Sequence, residues 1–584
     1  MFYRRTTSLL AGLFTFCLSV PVFAAGRTWH VAPRPLPGVA DAEQFRTISE
    51  AAKVVDPGDT VLIHTGIYRE QVTVDRGGTP DRPITFEAAP AAHVVITGAD
   101  RITQWTRLDG ADNIYTTPWS HVFIGGPTHT HPDDDQHLLI GRAEQVFVTG
   151  YPLRQVLKRE RMERGTFFVD EDAKLLDAWA ANNSKLTEVP VEASTRSLVW
   201  QVKAPYVTLR GLCFRYAADM AQHGAVNLSA HTTAEDCVVE DMNAEGVTIG
   251  GEGVVIRRCT IQDCGQLGFG CWKADNLLVT DCIVRNNNTK QYSRGWEAGG
   301  DKVCFSTGAV IQNSQFLDNR GSGIWFDIAN HDCTVRNCLI KGNEDGGIFY
   351  EISYGLHADD NVIVGNGFAE SPGAWGAQAG ICLSSSPGCV IERNLLVGNR
   401  EGFDFREQDR TTPLPDQSKE VWVWNHDQVV RNNVLAYNRD AQVWGYFDTG
   451  DERQWPAAMQ DRRPETEKAR ADQAAAFSAK HNEQYPAGLS LEKLKLQFAN
   501  NFYAVTDGEP LFNWGVPWHR NKRYTSLDDV RVELGLDQGS VVGNFAFNDF
   551  LTLDFRVPTD SPAVAMGCYP KGEVPGVKLG VVAP

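Results

Sequence analysis

Two carboxylic acids occupy equivalent places in two similar segments, Gly323-Ile324-Trp325-Phe326-Asp327 and Gly347-Ile348-Phe349-Tyr350-Glu351. Asp327 follows Ser314 by thirteen residues, and Glu351 follows Cys338 by thirteen. If the segments are stacked strands, equal register sets the two carboxyl groups side by side, because neighbouring parallel strands lie ~4.8 Å apart. A pair of carboxyl groups is the equipment for cleaving glycosidic bonds. Retaining enzymes hold theirs about 5–5.5 Å apart and inverting enzymes about 6.5–9.5 Å apart, so the spacing favours retention. Two acids on a solvated face would be unremarkable. Here like charges stack directly, which costs stability, and both lie in aromatic, apolar sequence. The same relative position elsewhere holds Gly250, Trp272 and Ser384, with Arg406 at or beside it. Only the two central segments carry acids.

The segment before them adds Trp296-Glu297-Ala298-Gly299-Gly300-Asp301-Lys302. Glu297 is a candidate third carboxylate and Lys302 a candidate neighbouring cation. Trp272, Trp296, Trp325 and Tyr354 offer aromatic faces for sugar rings, and each also suits ordinary packing. Arg406 and His223 are further binding candidates. Trp514 and Trp518 are candidates to reach the same place from the tail.

A regular scaffold must position these side chains, and the sequence repeats. A short unit of strand-type residues, a polar pair, a small residue and more apolar residues recurs, with its small residue at Gly211, Cys237, Cys259, Cys282, Ser314, Cys338, Asn361, Asn394 and Asn433. The intervals are 26, 22, 23, 32, 24, 23, 33 and 39 residues. A base period of 22 to 24 with β-branched alternation is one coil of a parallel β-solenoid. Stacking then makes an inward ladder of Cys237, Cys259, Cys282 and Cys338, followed by an amide ladder of Asn361, Asn394 and Asn433. That register accounts for the cysteines without metal or disulfides, and no C-x-x-C spacing occurs. The three long intervals must leave the coil as loops, so the two regular coils between the first two of them form the floor of a loop-walled groove.

The remaining chain divides around this array. Residues 1–24 have the charges, apolar stretch and small-residue end of a signal peptide, which implies export to the periplasm or the outside. Residues 25–100 read as a cap and first coils, with an amphipathic stripe of Phe45, Ile48, Ala51, Ala52 and Val55. Residues 101–196 break the period and read as an inserted β-rich module; the main solenoid covers 197–450. Residues 451–584 read as a C-terminal extension, with charged, Ala-rich surface helices at 464–500 and a return to the scaffold near Asp554-Phe555-Arg556. In 584 residues the net charge is −18, which argues against a nucleic-acid surface. No run after the leader is long and apolar enough for a membrane span.

Phe45 to Gly98 resembles the opening of secreted right-handed parallel β-helix proteins acting on polysaccharides. Glu297-Ala-Gly-Gly…Lys302, Trp325-Phe-Asp327-Ile and Glu351-Ile-Ser-Tyr354 resemble glycoside hydrolase family 120, which contains β-xylosidases. The position of the 101–196 insert is similar to that family's β-sandwich, a layout shared with family 141. The resemblance implies an all-β, right-handed parallel β-helix with an inserted β-sandwich-like module. It implies a retaining glycoside hydrolase with Asp327 as nucleophile, Glu351 as acid/base and Glu297 as an additional active-site acid. It implies an oligo- or polysaccharide partner and no cofactor. Two other classes stay open. A polysaccharide lyase would use Lys302 and Arg406 on a uronate, with acids holding Ca²⁺. A non-catalytic carbohydrate-binding protein would keep the aromatic residues but has no need for stacked acids.

Overall fold

The computed structural model describes residues 26–582, except 111–112, 124–138, 140, 371–377, 409, 414–419 and 517–519; within 448–493 it describes only four helical pairs of positions between 464 and 476. The leader at 1–24 lies outside the described residues, as do Trp518 and most of the 464–500 segment.

Alternation of apolar and polar residues makes each repeat three short strands. Successive strands fall in turn into three long parallel sheets, so the chain winds as a β-helix. One sheet runs from Gln44–Phe45 and Thr28–Val31 to Gln497–Ala499, a second from Gly66–Tyr68 to Val541–Val542, and a third from Val72–Val74 to Phe512–Val516, with Arg520–Tyr524 added antiparallel at its edge. The inward residues of all three form one continuous apolar core. At the N-terminal end it is closed by the helix Ile48–Ala52, which buries Ile48, Ala51 and Ala52 and starts at a Thr47/Glu50 capping box.

The coils continue past 450, where the sequence reading ended them. Gln497–Ala499 is a strand rather than the end of a helix, because Phe498 faces the core with period two. Asn501 is the missed repeat marker; its Oδ1 accepts from the Asn433 N–H at 3.0 Å. Trp514 is a core residue and does not reach the groove. It stacks on Phe405 and fills the space left opposite Gly445, where a Cβ would stand 2.6 Å from the indole. The tail does return. Phe545, Phe555, Val557 and Tyr569 cover the outer apolar face formed by Leu339, Val362, Leu395 and Val434.

The insert leaves after Val94–Thr97 and comes back at Trp200–Val202. Its first strand, Ala99–Arg101, pairs with Val191–Ser194 near its end, so entry and exit lie together. A four-stranded and a five-stranded sheet enclose a separate core containing Trp105, Phe167 and Leu176. Phe147 of the insert stacks on Tyr216 of the solenoid with centroids 3.6 Å apart.

Inside the coils the marker residues are hydrogen-bonded from Cys282 to Ser314 and from Cys338 on to Asn433. The Cys282 N–H donates to Ser314 Oγ, Cys338 to Asn361 Oδ1, Asn361 to Asn394 and Asn394 to Asn433. A second ladder, unseen in the sequence reading, joins Asn287, Asn319, Asn343, Asn366, Asn399 and Asn438. Each side-chain amide oxygen accepts a backbone N–H of the preceding coil at a corner between strands. All twelve cysteines of the described residues are free, and all but Cys213 are buried. Thiol titration of the unfolded mature chain without reductant should therefore find close to twelve free thiols. A result of a few thiols would mean disulfides and would overturn the ladder.

Candidate active site

The third sheet carries the carboxyl pair. Strands Ile324–Asp327 and Ile348–Glu351 are parallel neighbours with Asp327 opposite Glu351 and Trp325 opposite Phe349. Phe326 and Tyr350 point inward to the core, so alternation turns Asp327 and Glu351 outward. Both are nearly covered, at 7% and 6% exposure. The register continues through Ser384 and Arg406, as the sequence positions implied. On the other side Trp272 aligns with Cys304, one residue past Val303, which pairs with Phe326.

Cations fix each acid. Lys302 Nζ lies 3.0 Å from Asp327 Oδ2 and 3.6 Å from Glu297 Oε1. It also sits 4.1 Å over the Trp325 ring, a cation–π contact. Burial alone disfavours the ammonium, but Asp327 and then Glu297 outweigh it and raise its pKa. Glu351 Oε1 accepts from Arg406 Nη2 and from Arg410 Nη1, each at 2.8 Å. Arg406 Nε in turn holds Ser384 Oγ at 2.9 Å, and its guanidinium lies 5.0 Å over Phe349. Trp325 and Phe349 stack on each other, so a two-ring floor supports the acids with a cation at each end.

Asp327 Oδ1 is buried and has no hydrogen-bond partner in the structure. Burial and then the charge of Glu351 push the Asp327 pKa up to about 6, against the pull of Lys302. Asp327 therefore keeps a proton in mildly acidic solution, where an ordinary carboxyl has lost it. Cys304 beside them is no competing nucleophile, because burial raises its pKa and keeps it a thiol.

Three supporting residues escaped the sequence reading. Arg410 belongs to a hairpin, Arg410–Pro413 with Glu420–Val423, inside the longest repeat interval; the length of that interval was the available signal. Asp301 is fully buried at a core-facing position, and its Oδ1 accepts the Trp325 N–H at 2.8 Å. It supplies an acceptor where pairing between Gly299–Cys304 and Ile324–Asp327 thins to Val303 with Phe326. Glu245 Oε1 accepts from Thr248 Oγ1 and the Gly270 N–H. Burial, with the charge of Glu297 adding, pushes its pKa up to about 8, so it is neutral at pH 7.

Of the other candidates, Trp325 forms the floor and Trp272 stands 55% exposed on the same face, its ring tilted against Phe305. Trp296 packs against Tyr292 behind Glu297. Tyr354 lies past the strand end, stacked on His331 rather than on the carboxyl floor. His223 is not brought to the acids; it lies four strands toward the N-terminal end, beside Gly224–Leu228. Among the described residues no group of three His, Cys, Asp or Glu is arranged to hold a metal ion, and no helix is long and apolar enough to cross a membrane.

A sequence pattern described as a right-handed β-helix region matches residues 225–396. No curated protein matches the chain. Among solved structures, XylC in complex with xylose is similar over 84% of this chain and 86% of its own, at 18% identity and a TM-score of 0.62. A glycoside hydrolase is similar over 89% and 96% at 11% identity, with a TM-score of 0.46. A PL6-family polysaccharide lyase from Pseudopedobacter saltans is similar over 85% and 90% at 12% identity, with a TM-score of 0.38. The matched region and XylC establish the fold as a right-handed parallel β-helix. Chemistry has to come from the site.

Proposed function

We propose that this right-handed β-helix is a retaining glycoside hydrolase of exported oligosaccharide metabolism, acting first on β-xylosides. The observation that carries the reading is the in-register, buried pair of Asp327 and Glu351, with one Asp327 oxygen left unpartnered. Asp327 attacks the anomeric carbon through Oδ1 while Lys302 holds Oδ2. The C–O bond to the leaving group breaks as Glu351 donates its proton to the departing oxygen. Glu351 then takes a proton from water, which displaces Asp327 and releases the sugar with retained configuration. Glu297 acts through Lys302, sharing its ammonium with the nucleophile.

One observation favours the reverse assignment. In the resting pair it is Asp327 whose pKa is raised. With Asp327 as nucleophile, the Asp327 proton must pass to Glu351 when substrate displaces Arg410, the more exposed of the two guanidinium partners of Glu351. Leaving-group dependence of the two variants described in the Discussion separates the assignments.

Wild-type protein is expected to release xylose from 4-nitrophenyl β-xyloside, with first-formed β-xylose visible by NMR before mutarotation. First-formed α-xylose would mean inversion. An unsaturated uronate product, with no cleavage of any aryl glycoside, would sink the hydrolase and support a lyase. The pH profile has a defined sign. The Asp327 proton is held more tightly folded than unfolded, so its contribution to stability is present below about pH 4 and is lost as pH rises through about 6. Activity needs one proton on the pair, so kcat/KM should fall on the alkaline side with an apparent pKa near 6. Constant activity up to pH 9 would refute that proton's role.

A further inference from the structure

The outward face on the N-terminal side of the carboxyl pair leads to a second concavity. Along the third sheet Thr73, Gln201, Asn227, Thr248, Gly270 and Lys302 share one register row. Going from the site, the charged end gives way to glycine and then to uncharged polar side chains. The parallel row passes through the exposed Trp272 ring and Gly250, where an added Cβ would meet nothing nearer than 3.8 Å. Gly250 leaves the floor open beside the flat Trp272 indole, while at Gly270 the buried Glu245 carboxyl covers the backbone.

At the head of this floor is a cavity of about 510 Å³ between the coils and the insert. Gln71, His223 and Asn227 line it from the solenoid, and His121 and Phe123 from the insert. This volume is in the range of small-ligand pockets. His223 is exposed, with Nδ1 against the Ala221 carbonyl at 3.0 Å. The guanidinium at its edge, Arg196, is neutralised by Asp100 at 2.9 Å. The walls therefore offer amide and imidazole hydrogen bonds and an aromatic edge, with no net charge. That chemistry suits neutral, hydroxyl-rich pyranose units and not uronates or phosphates.

We infer that this junction cavity is an accessory glycan-binding site, holding distal neutral sugar units of the same chain that is cleaved at Asp327 and Glu351. The inference rests on the proposed hydrolase reading and adds the use of longer chains. Four strand spacings separate Asp327 from the Asn227 strand, about 19 Å. A β-1,4-linked pyranose advances about as far as one strand spacing, so a pentamer or hexamer bridges the two places and a dimer does not.

The test uses the full chain carrying Asp327→Asn, with xylobiose and xylohexaose as probes in calorimetric titration. Xylohexaose is expected to bind at least about tenfold tighter than xylobiose. Adding Asn227→Ala and Gln71→Ala should cut that advantage to below about threefold. Equal affinity for the two lengths, no binding of either, or a length advantage that survives both substitutions would overturn the accessory site. The hydrolase reading is judged separately, by wild-type cleavage of the aryl xyloside. Activity there with flat length dependence removes only the cavity's role, whereas inactivity on every glycoside removes the function itself.

Discussion

Asp327→Ala should lower kcat on 4-nitrophenyl β-xyloside by about 10⁴-fold or more, because no covalent glycosyl intermediate can form. The side chain is nearly covered and lies at the end of its strand, so the coil should survive the truncation. Glu351→Ala should behave differently. It should lose about 10²–10⁴-fold on substrates with poor leaving groups, which need protonation, and far less on aryl glycosides of acidic phenols. Azide should restore part of the Glu351→Ala rate by replacing water in the second step, giving a glycosyl azide of retained configuration. The mirror-image pattern, with azide rescue and leaving-group dependence in Asp327→Ala, would exchange the two roles in line with the resting proton on Asp327. Near-wild-type rates in both variants on a confirmed substrate would remove the pair from catalysis altogether.

The largest stability effect is expected far from the chemistry, in the corner ladder. Asn343 Oδ1 accepts from both the backbone N–H and the side-chain amide of Asn319, and its Nδ2 donates to the Phe316 carbonyl and to Asn366 Oδ1. Asn343→Ala leaves the buried Asn319 backbone N–H without its acceptor, and takes one bond each from the Asn319 side-chain amide, which keeps the Val284 carbonyl, and from the Phe316 carbonyl. At roughly 1–3 kcal/mol for the orphaned N–H and roughly 0.5–1.5 kcal/mol for each of the two other lost bonds, the expected loss is about 2–6 kcal/mol in chemical unfolding. Asn287 stands at the start of the same ladder, where its Oδ1 serves one donor, the Cys264 N–H. Asn287→Ala, which loses that bond and the one to the Ile261 carbonyl, should therefore cost less, by roughly 0.5–1.5 kcal/mol. Equal, small losses at both positions would show that water repairs the corner and that the ladder is not a principal source of stability. The ladder also bears on the site, because Asn343 anchors the corner ahead of Ile348–Glu351.

The scaffold was legible because a solenoid writes its geometry as a period. Intervals of 22 to 24 residues and β-branched alternation specify stacked strands, and identical offsets from Ser314 and Cys338 put Asp327 beside Glu351. Parallel register copies sequence equivalence into space, so Gly250, Trp272, Ser384 and Arg406 also fell in line. The second asparagine ladder is equally periodic, at 319, 343 and 366, five residues after the markers at 314, 338 and 361. The sequence could not show what happens where the period breaks. Lys302 and Glu297 leave a long interval at an angle that only the folded loop decides, and Arg410 reaches Glu351 from a hairpin fifty-nine residues on. Trp514 is a candidate to reach the site from the tail by sequence alone, because tryptophan serves either side of a strand; a missing Cβ at Gly445, one coil away, makes it core. The junction cavity has no sequence signal at all, because it exists only where a separately folded insert is seated on the coils. Repetition therefore determined the fold and the pairing of the acids from local sequence. Their charges, and which groups reach them, came from contacts between residues distant along the chain, and only tertiary structure fixes those.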